Sequence, residues 1–225
     1  MHPLDSALRQ GLLDLSLGLS EDQIARLLSY LDLIQKWTKV YNLTAVRDPA
    51  EMLTHHLLDS LAVIAPLQKQ LAALAEQGIV TLGQPERLLD VGSGAGLPGV
   101  VIAICCPHVV VHCVDTVGKK AAFIQQVAAT LKLPNLRGIH ARVESLTDTY
   151  HVVSSRAFAS LVDFVTWSGG ALAERGVWMG MKGKHPVDEM SALPKSVQVF
   201  HVEQLVVPGL GAERCIVWMR KDSGI

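Results

Sequence analysis

The chain has 225 residues, 49% of them hydrophobic and 18% charged, with a mean hydropathy of +0.30 and a formal net charge of −1. These values exclude a disordered polypeptide, which could not bury enough apolar surface to offset its ordering entropy. They also exclude a chain held to nucleic acid by a global basic field, so any such contact must be a local patch. The length fits one globular domain with an extension.

The opening Met1-His2-Pro3-Leu4-Asp5 has neither a basic region nor an apolar core, so no secretion signal is expected. The first 80 residues read as a helical region carrying six Lys/Arg against nine Asp/Glu. Ser20 and Gln23 have capping-box spacing. Ile24, Leu27, Leu28, Leu31 and Ile34 then recur on one helical face, and Trp37 and Tyr41 extend it. Asn42-Leu43-Thr44 breaks the period, and Asp48-Pro49-Ala50-Glu51 starts a new helix that contains His55-His56-Leu57-Leu58-Asp59-Ser60. Gly78 is the expected stop.

Residues 81–225 form the second unit, with fourteen Lys/Arg against twelve Asp/Glu. Candidate strands are Arg87–Val91, Val109–Val114, Arg137–Ala141, His151–Ser154, Val177–Met181, Val197–Val202 and Cys215–Arg220. Candidate helices are Pro98–Cys106, Lys119–Leu131 and Leu161–Leu172. The alternation predicts an α/β fold, a doubly wound Rossmann-like sheet. The last two strands have no helix between them, so an antiparallel edge is expected. The longest unbroken apolar run, Gly99–Cys106, falls far short of the ~18 residues of a membrane span. A cytoplasmic protein without a membrane partner is expected.

The most informative stretch is Leu88-Leu89-Asp90-Val91-Gly92-Ser93-Gly94-Ala95-Gly96-Leu97-Pro98-Gly99. Alternate glycines after a buried strand permit positive φ and let a ligand approach the backbone. Gly94, Gly96 and Gly99 fit the dinucleotide fingerprint literally, but a lone match is weak. A pyrophosphate at the helix start would lie near the Asp90 carboxylate, whereas the cationic S-adenosylmethionine suits an acidic strand end. Asp115, at the end of the second strand, would accept hydrogen bonds from the ribose hydroxyls of either cofactor. The string from Asp90 to Gly96 favours S-adenosylmethionine.

The chain resembles the RsmG (GidB) family of bacterial small-subunit ribosomal RNA methyltransferases, which methylate N7 of a guanine. The resemblance rests on Trp37–Thr44, Arg47-Asp48-Pro49, His56–Ser60, the Gly92–Gly99 loop, Ser155-Arg156-Ala157-Phe158-Ala159-Ser160 and Met181-Lys182-Gly183. It implies a methyltransferase domain at 81–225 that uses S-adenosylmethionine. Cofactor contacts are implied at Gly92, Leu97, Val143, Glu144 and Arg156. The implied partner is 16S rRNA or a small-subunit assembly intermediate, with no DNA, and a monomer is expected. Two departures are visible. Asp115-Thr116 and Lys119-Lys120 stand where the family usually has Asp-Ser and Lys-Arg, and Gln68–Pro85 is a longer link than usual.

Motifs that are missing narrow the acceptor. An exocyclic amine calls for an Asn/Asp-Pro-Pro-aromatic signature after the fourth strand, where this chain has Ser154-Ser155-Arg156-Ala157. Pyrimidine carbon 5 needs a nucleophilic cysteine. Cys105 and Cys106 lie late in an apolar helix, and all four cysteines read as buried thiols with no metal site. Guanine N7 has a free lone pair and needs no base. A non-enzyme would lack the same motifs.

Asn42, Asp59, Ser60 and Arg156 are the catalytic candidates, the first three doubling as caps or bridges to the sheet. Cofactor-binding candidates are Asp90, Gly92, Gly94, Gly96, Leu97, Asp115, Val143, Glu144 and Arg156. Lys119, Lys120, Arg142, Lys182 and Lys184, with His185, would form a rim that contacts phosphates. His55 and His56 read first as surface or cap residues, with RNA or cofactor contact as the alternative. The competing functions are an NAD-dependent oxidoreductase and a non-catalytic RNA-binding or ribosome-assembly factor.

Overall fold

The computed structural model describes residues 2–80, 83–158 and 160–222. Ala159 of the quoted motif lies outside these, as do residues 81–82 at the expected boundary between the helical region and the sheet.

Helix α1 (Asp5–Asp14) leads to α2 (Glu21–Tyr41), whose start is the expected capping box. The Gln23 amide donates to Ser20 Oγ at 3.3 Å and the Ser20 amide to Gln23 Oε1 at 2.9 Å. Asn42 closes α2 in the left-handed region at φ 51°. Asp48 then caps α3 (Pro49–Met52) by accepting from the amides of Ala50 and Glu51. A π-helical turn (Leu53–Leu58), α4 (Asp59–Leu61) and α5 (Ile64–Glu76) continue the same rod. By length and composition the 28 residues Pro49–Glu76 would cross a membrane, a possibility that a count of unbroken apolar runs overlooks. However, 61% of their apolar window is buried in the protein, as in a core helix. Gly78 ends the rod at φ +67°, and the Ile79 amide reaches back to the Leu74 carbonyl.

The sheet contains β1 (Arg87–Val91), β2 (Val110–Asp115), β3 (Leu136–His140), β4 (Tyr150–Arg156), β5 (Leu172–Lys182), β6 (Val197–Leu205) and β7 (Arg214–Lys221) in the order β3-β2-β1-β4-β5-β7-β6. The first five are parallel, and β7 runs antiparallel between β5 and β6. The reversed strand therefore lies one place inside the edge. Helices α6 (Gly99–Cys105), α7 (Gly118–Thr130), α8 (Leu161–Ser168) and α9 (Val187–Ser191) complete the fold, with a 3₁₀ turn at Val143–Ser145.

Two expected limits shift. Helix α8 stops at Ser168, before Gly169-Gly170, and β5 begins at Leu172 where Val177 was expected. The polar Glu174-Arg175-Gly176 lies at a register shift in the β4–β5 ladder, with Arg175 at φ 63°, and this hid the first half of the strand.

Strand residues alternate between two cores, as the two-residue period requires. Leu88, Val111, Val152, Met179, Ile216 and Trp218 face a cluster that includes Leu27, Leu31, Leu57 and Leu61 of the N-terminal helices. Leu89, Val91, Val114, Val153, Trp178 and Val217 face Leu161, Phe164 and Val165 of α8. The N-terminal helices thus share one core with the sheet. Strand order reverses at β1 and β4, and their carboxyl ends open a crevice, the usual ligand position in open α/β sheets.

Candidate functional site

The loop after β1 turns through three left-handed glycines, Gly92, Gly94 and Gly96 at φ +65°, +58° and +89°. Asp115 holds it in place: Oδ2 accepts from the Gly94 amide at 3.0 Å and Oδ1 from the Val117 amide at 2.8 Å. Lys120 Nζ lies 3.6 Å from Oδ2. From the other side, the Tyr30 hydroxyl of α2 donates to the Ala95 carbonyl at 2.6 Å. A cavity of about 370 Å³ opens against this loop, lined by Val91, Gly92, Val114, Asp115, Val143 and Phe158 among others, with Glu144, Arg156 and Trp167 at its margins. Apolar walls, one acid at a strand end and open space where a Cβ at Gly94 would project suit an adenosine-bearing ligand.

A second cavity of about 340 Å³ lies alongside, lined by His55, His56, Asp59, Arg156, Ala157, Met181, Lys182, Gly183 and Arg214. The two share Arg156 and Ala157. Ala157 sits at φ 59°, an unusual value for a residue with a Cβ, and this redirects the chain after β4. The buried Asp59 carboxylate holds two guanidiniums: Arg156 Nη1 donates to Oδ2 at 2.9 Å and Arg214 Nε to Oδ1 at 2.8 Å. Arg156 Nη1 also reaches the His55 carbonyl at 2.9 Å. The wide π turn carries His55 and His56 onto this wall, a common use of such turns.

Several expected site residues come together in this crevice. Gly92, Asp115, Val143, Glu144 and Arg156 line the first cavity; Asp59, Arg156 and Lys182 line the second. Others stand elsewhere. Asp90 is fully buried behind the loop, where it accepts from the Gly99 amide and the Ser154 hydroxyl, each at 3.0 Å. Its charge is not presented to the cavity, so it does not discriminate between S-adenosylmethionine and a dinucleotide. Gly94, Gly96 and Leu97 shape the turn without forming that wall. Asn42 is exposed and accepts from Arg47, and the Ser60 hydroxyl is buried without a partner among the described residues.

The basic rim is thinner than expected. Lys182 pairs with Glu189 at 2.7 Å and Lys120 faces Asp115, while Lys119, Arg142, Lys184 and His185 are exposed. His56 is not a surface residue; it is 6% exposed. Sequence reasoning missed Arg214, Trp167 and Met181 as lining residues. Arg214 stands 155 positions from its partner Asp59, and no local pattern signals such a pairing.

Burial perturbs two groups in opposite directions. Desolvation raises the Asp90 carboxyl to about 7, and desolvation with the nearby Arg156 charge lowers His56 to about 4. Asp90, raised in the folded state, stabilises the fold at acid pH and loses that contribution as pH climbs from 3.8 through about 7. His56, lowered, stabilises above 6.5 and loses its contribution as pH falls toward 4. The shifts correspond to roughly 4 kcal/mol for Asp90 and about 3 kcal/mol for His56, so they largely cancel between these limits. Asp90→Asn keeps an acceptor for Gly99 and removes one side of the balance. Urea unfolding of this variant should show stability falling steeply from pH 6.5 to 4, with a gain over wild type above pH 7. Parallel wild-type and variant pH profiles would contradict these assignments.

The model of the family described as rRNA small subunit methyltransferase G matches residues 23–217. A protein of Albidiferax ferrireducens named ribosomal RNA small subunit methyltransferase G is 69% identical over 223 residues, spanning 99% of this chain and 100% of the relative. Its namesake from Polaromonas naphthalenivorans is 65% identical over 220 residues, with 98% and 97% covered. Among solved structures, TrmN from Thermus thermophilus aligns with a TM-score of 0.51 at 18% identity over 67% of this chain and 48% of its own. A ribosomal protein L11 methylase from Lactobacillus delbrueckii subsp. bulgaricus aligns at 0.50 and 14% identity over 68% and 79%. At such identities the solved structures speak for the fold alone.

Proposed function

Because the chain belongs to the rRNA small subunit methyltransferase G family, we propose that it is an enzyme that methylates N7 of a guanine in 16S rRNA with S-adenosylmethionine as methyl donor. The family match over residues 23–217 carries this reading, and the twin cavities at the β1/β4 switch point support it. The substrate is 16S rRNA or an assembling small subunit, and the enzyme acts as a cytoplasmic monomer.

Asp115 would hold the cofactor's ribose hydroxyls through the lone pairs its carboxylate keeps after accepting from Gly94 and Val117. Gly92 would admit the ligand to the backbone, and Val143 and Glu144 would line the side that takes its adenine. Bound there, S-adenosylmethionine supplies an electrophilic methyl group. Guanine N7 carries an in-plane lone pair and no proton, so the protein's task is to position and desolvate the base, which is worth ~7–11 kcal/mol in favourable cases. No side chain need take a proton. Arg156, held by Asp59 and His55, fixes the boundary between the two cavities. Lys119, Arg142 and Lys184, which carry no carboxylate partner among the described residues, are the proposed outer phosphate contacts.

Thermal melting tests the cofactor assignment. S-adenosylmethionine at ~100 times its dissociation constant should add about 2.7 kcal/mol of apparent stability, and NAD should add none. Asp115→Ala should weaken binding by ~1.5–3 kcal/mol, roughly 10- to 150-fold, in calorimetry. Unchanged affinity in a folded variant would remove Asp115 from the site, and stabilisation by NAD alone would favour an oxidoreductase.

A further inference from the structure

The geometry points to the second cavity as the seat of an RNA backbone phosphate next to the target guanosine, gripped by Arg214 and Arg156, with the base itself held outside it at the Arg156–Ala157 boundary. The inference rests on the methyltransferase reading and goes beyond it by separating the phosphate seat from the base.

Charge is the first argument. Arg156, Arg214 and Lys182 line the cavity against one carboxylate, Asp59, and Glu189 beside Lys182 leaves a net positive wall. A guanine becomes a cation when N7 is methylated, and a cationic enclosure would oppose that change. A phosphodiester is a permanent anion and suits the same wall.

Unused donors are the second argument. Asp59 takes Arg214 Nε and Arg156 Nη1, which fixes both guanidinium planes. Neither Nη2 has a partner among the described residues, so each guanidinium keeps N–H groups in reserve. Two anchored guanidiniums with free donors are pre-organised for an oxyanion, because their side-chain entropy is already spent.

His56 supplies an independent observation. Its Nε2 lies 2.9 Å from Thr44 Oγ1, and that oxygen already accepts from the Val46 amide. That hydroxyl keeps a second lone pair and its own proton, so it pairs with Nε2 in either tautomer of the ring. Nδ1 is buried and has no hydrogen-bond partner among the described residues. The His55 carbonyl that bears on the ring is already engaged by Arg156. His56 thus places an unsatisfied ring nitrogen on the wall that carries the two anchored arginines.

The test uses small-subunit rRNA with a single neutral methylphosphonate linkage flanking the target guanosine on one side or the other, assayed in single turnovers with saturating cofactor. Arg214→Gln on natural RNA, and one of the two linkages with wild-type enzyme, should each raise the half-saturating RNA concentration about tenfold. Combined, they should raise it no further, since both remove the same contact. Arg214→Lys should recover part of the loss and keep the coupling, which covers a poorly folded Gln variant. Fully additive losses at both linkages would overturn the proposal. So would coupling of Arg214→Gln to loss of the base's O6 in a 2-aminopurine substrate, which would put the base in the cavity. Absence of transfer from wild-type enzyme to natural RNA would instead overturn the methyltransferase reading and this inference with it.

Discussion

Replacing nitrogen 7 of the target guanine by carbon is expected to abolish methyl transfer while leaving RNA affinity within about tenfold. The 7-deaza base keeps its shape, its O6 and its Watson–Crick edge, and loses only the lone pair that attacks the methyl group. Nothing in the crevice compensates for that loss. His56 is neutral at ordinary pH, with its titration pushed down to about 4, and it cannot generate a nucleophile elsewhere on the base. The four cysteines are buried, with burial raising Cys105, Cys106, Cys113 and Cys215 alike, so none is poised as a thiolate. Transfer of labelled methyl groups to natural and 7-deaza substrates, compared in single turnovers, decides the matter. Full activity on the 7-deaza RNA would move the target to another atom.

Asp59→Asn is expected to destabilise the fold by about 3–5 kcal/mol, the range for removing one partner of a buried ion pair. The amide keeps the volume, but its one oxygen serves a single guanidinium and its NH2 meets the other arginine donor to donor. Arg156 and Arg214 remain largely inside the protein with a charge uncompensated. Asp59→Ala should cost at least as much, because no acceptor remains. Denaturant unfolding at neutral pH measures the effect. A loss below about 1 kcal/mol would place the pair in the class of surface salt bridges, which contribute little.

Much of the framework was legible because it rests on short-range patterns. The Ser20–Gln23 capping box, the Asp48-Pro49 helix start, the Gly78 stop and the parallel strands β1 to β4 each have a local cause, and the sequence carries that cause within a few residues. The glycine loop was legible for the same reason, since a chain that turns through three positive-φ positions needs residues without a Cβ. The inner placement of β7 was not. Hairpin logic joins β6 to β7 but does not say which of them meets β5. The direction of the Asp90 carboxylate was also hidden, because a strand-end acid reads alike whether it faces the cavity or, as here, the Gly99 amide. The Asp59 clamp lay furthest from view. Its parts come from a π turn, the end of β4 and the start of β7, and only the folded sheet makes them neighbours.

The separation of Asp59 and Arg214 by 155 positions also bears on how the molecule assembles. Closing so long a loop carries a larger entropic cost than any contact within the β1-β2-β4 unit, so this clamp is expected to form late in folding. The hairpin of β6 and β7 is also the outer part of the sheet, with only β5 beside it and no residue of β6 buried, and such a margin is expected to open before the centre of the sheet in native-state fluctuations. When it opens, Arg214 leaves with it, while the walls of the first cavity, drawn from residues 91–167, stay paired. On the proposed assignment of the two cavities, recognition of adenosine and recognition of RNA would belong to different cooperative units of one chain. A partly frayed molecule would still take up its methyl donor yet be unable to engage the ribosomal substrate.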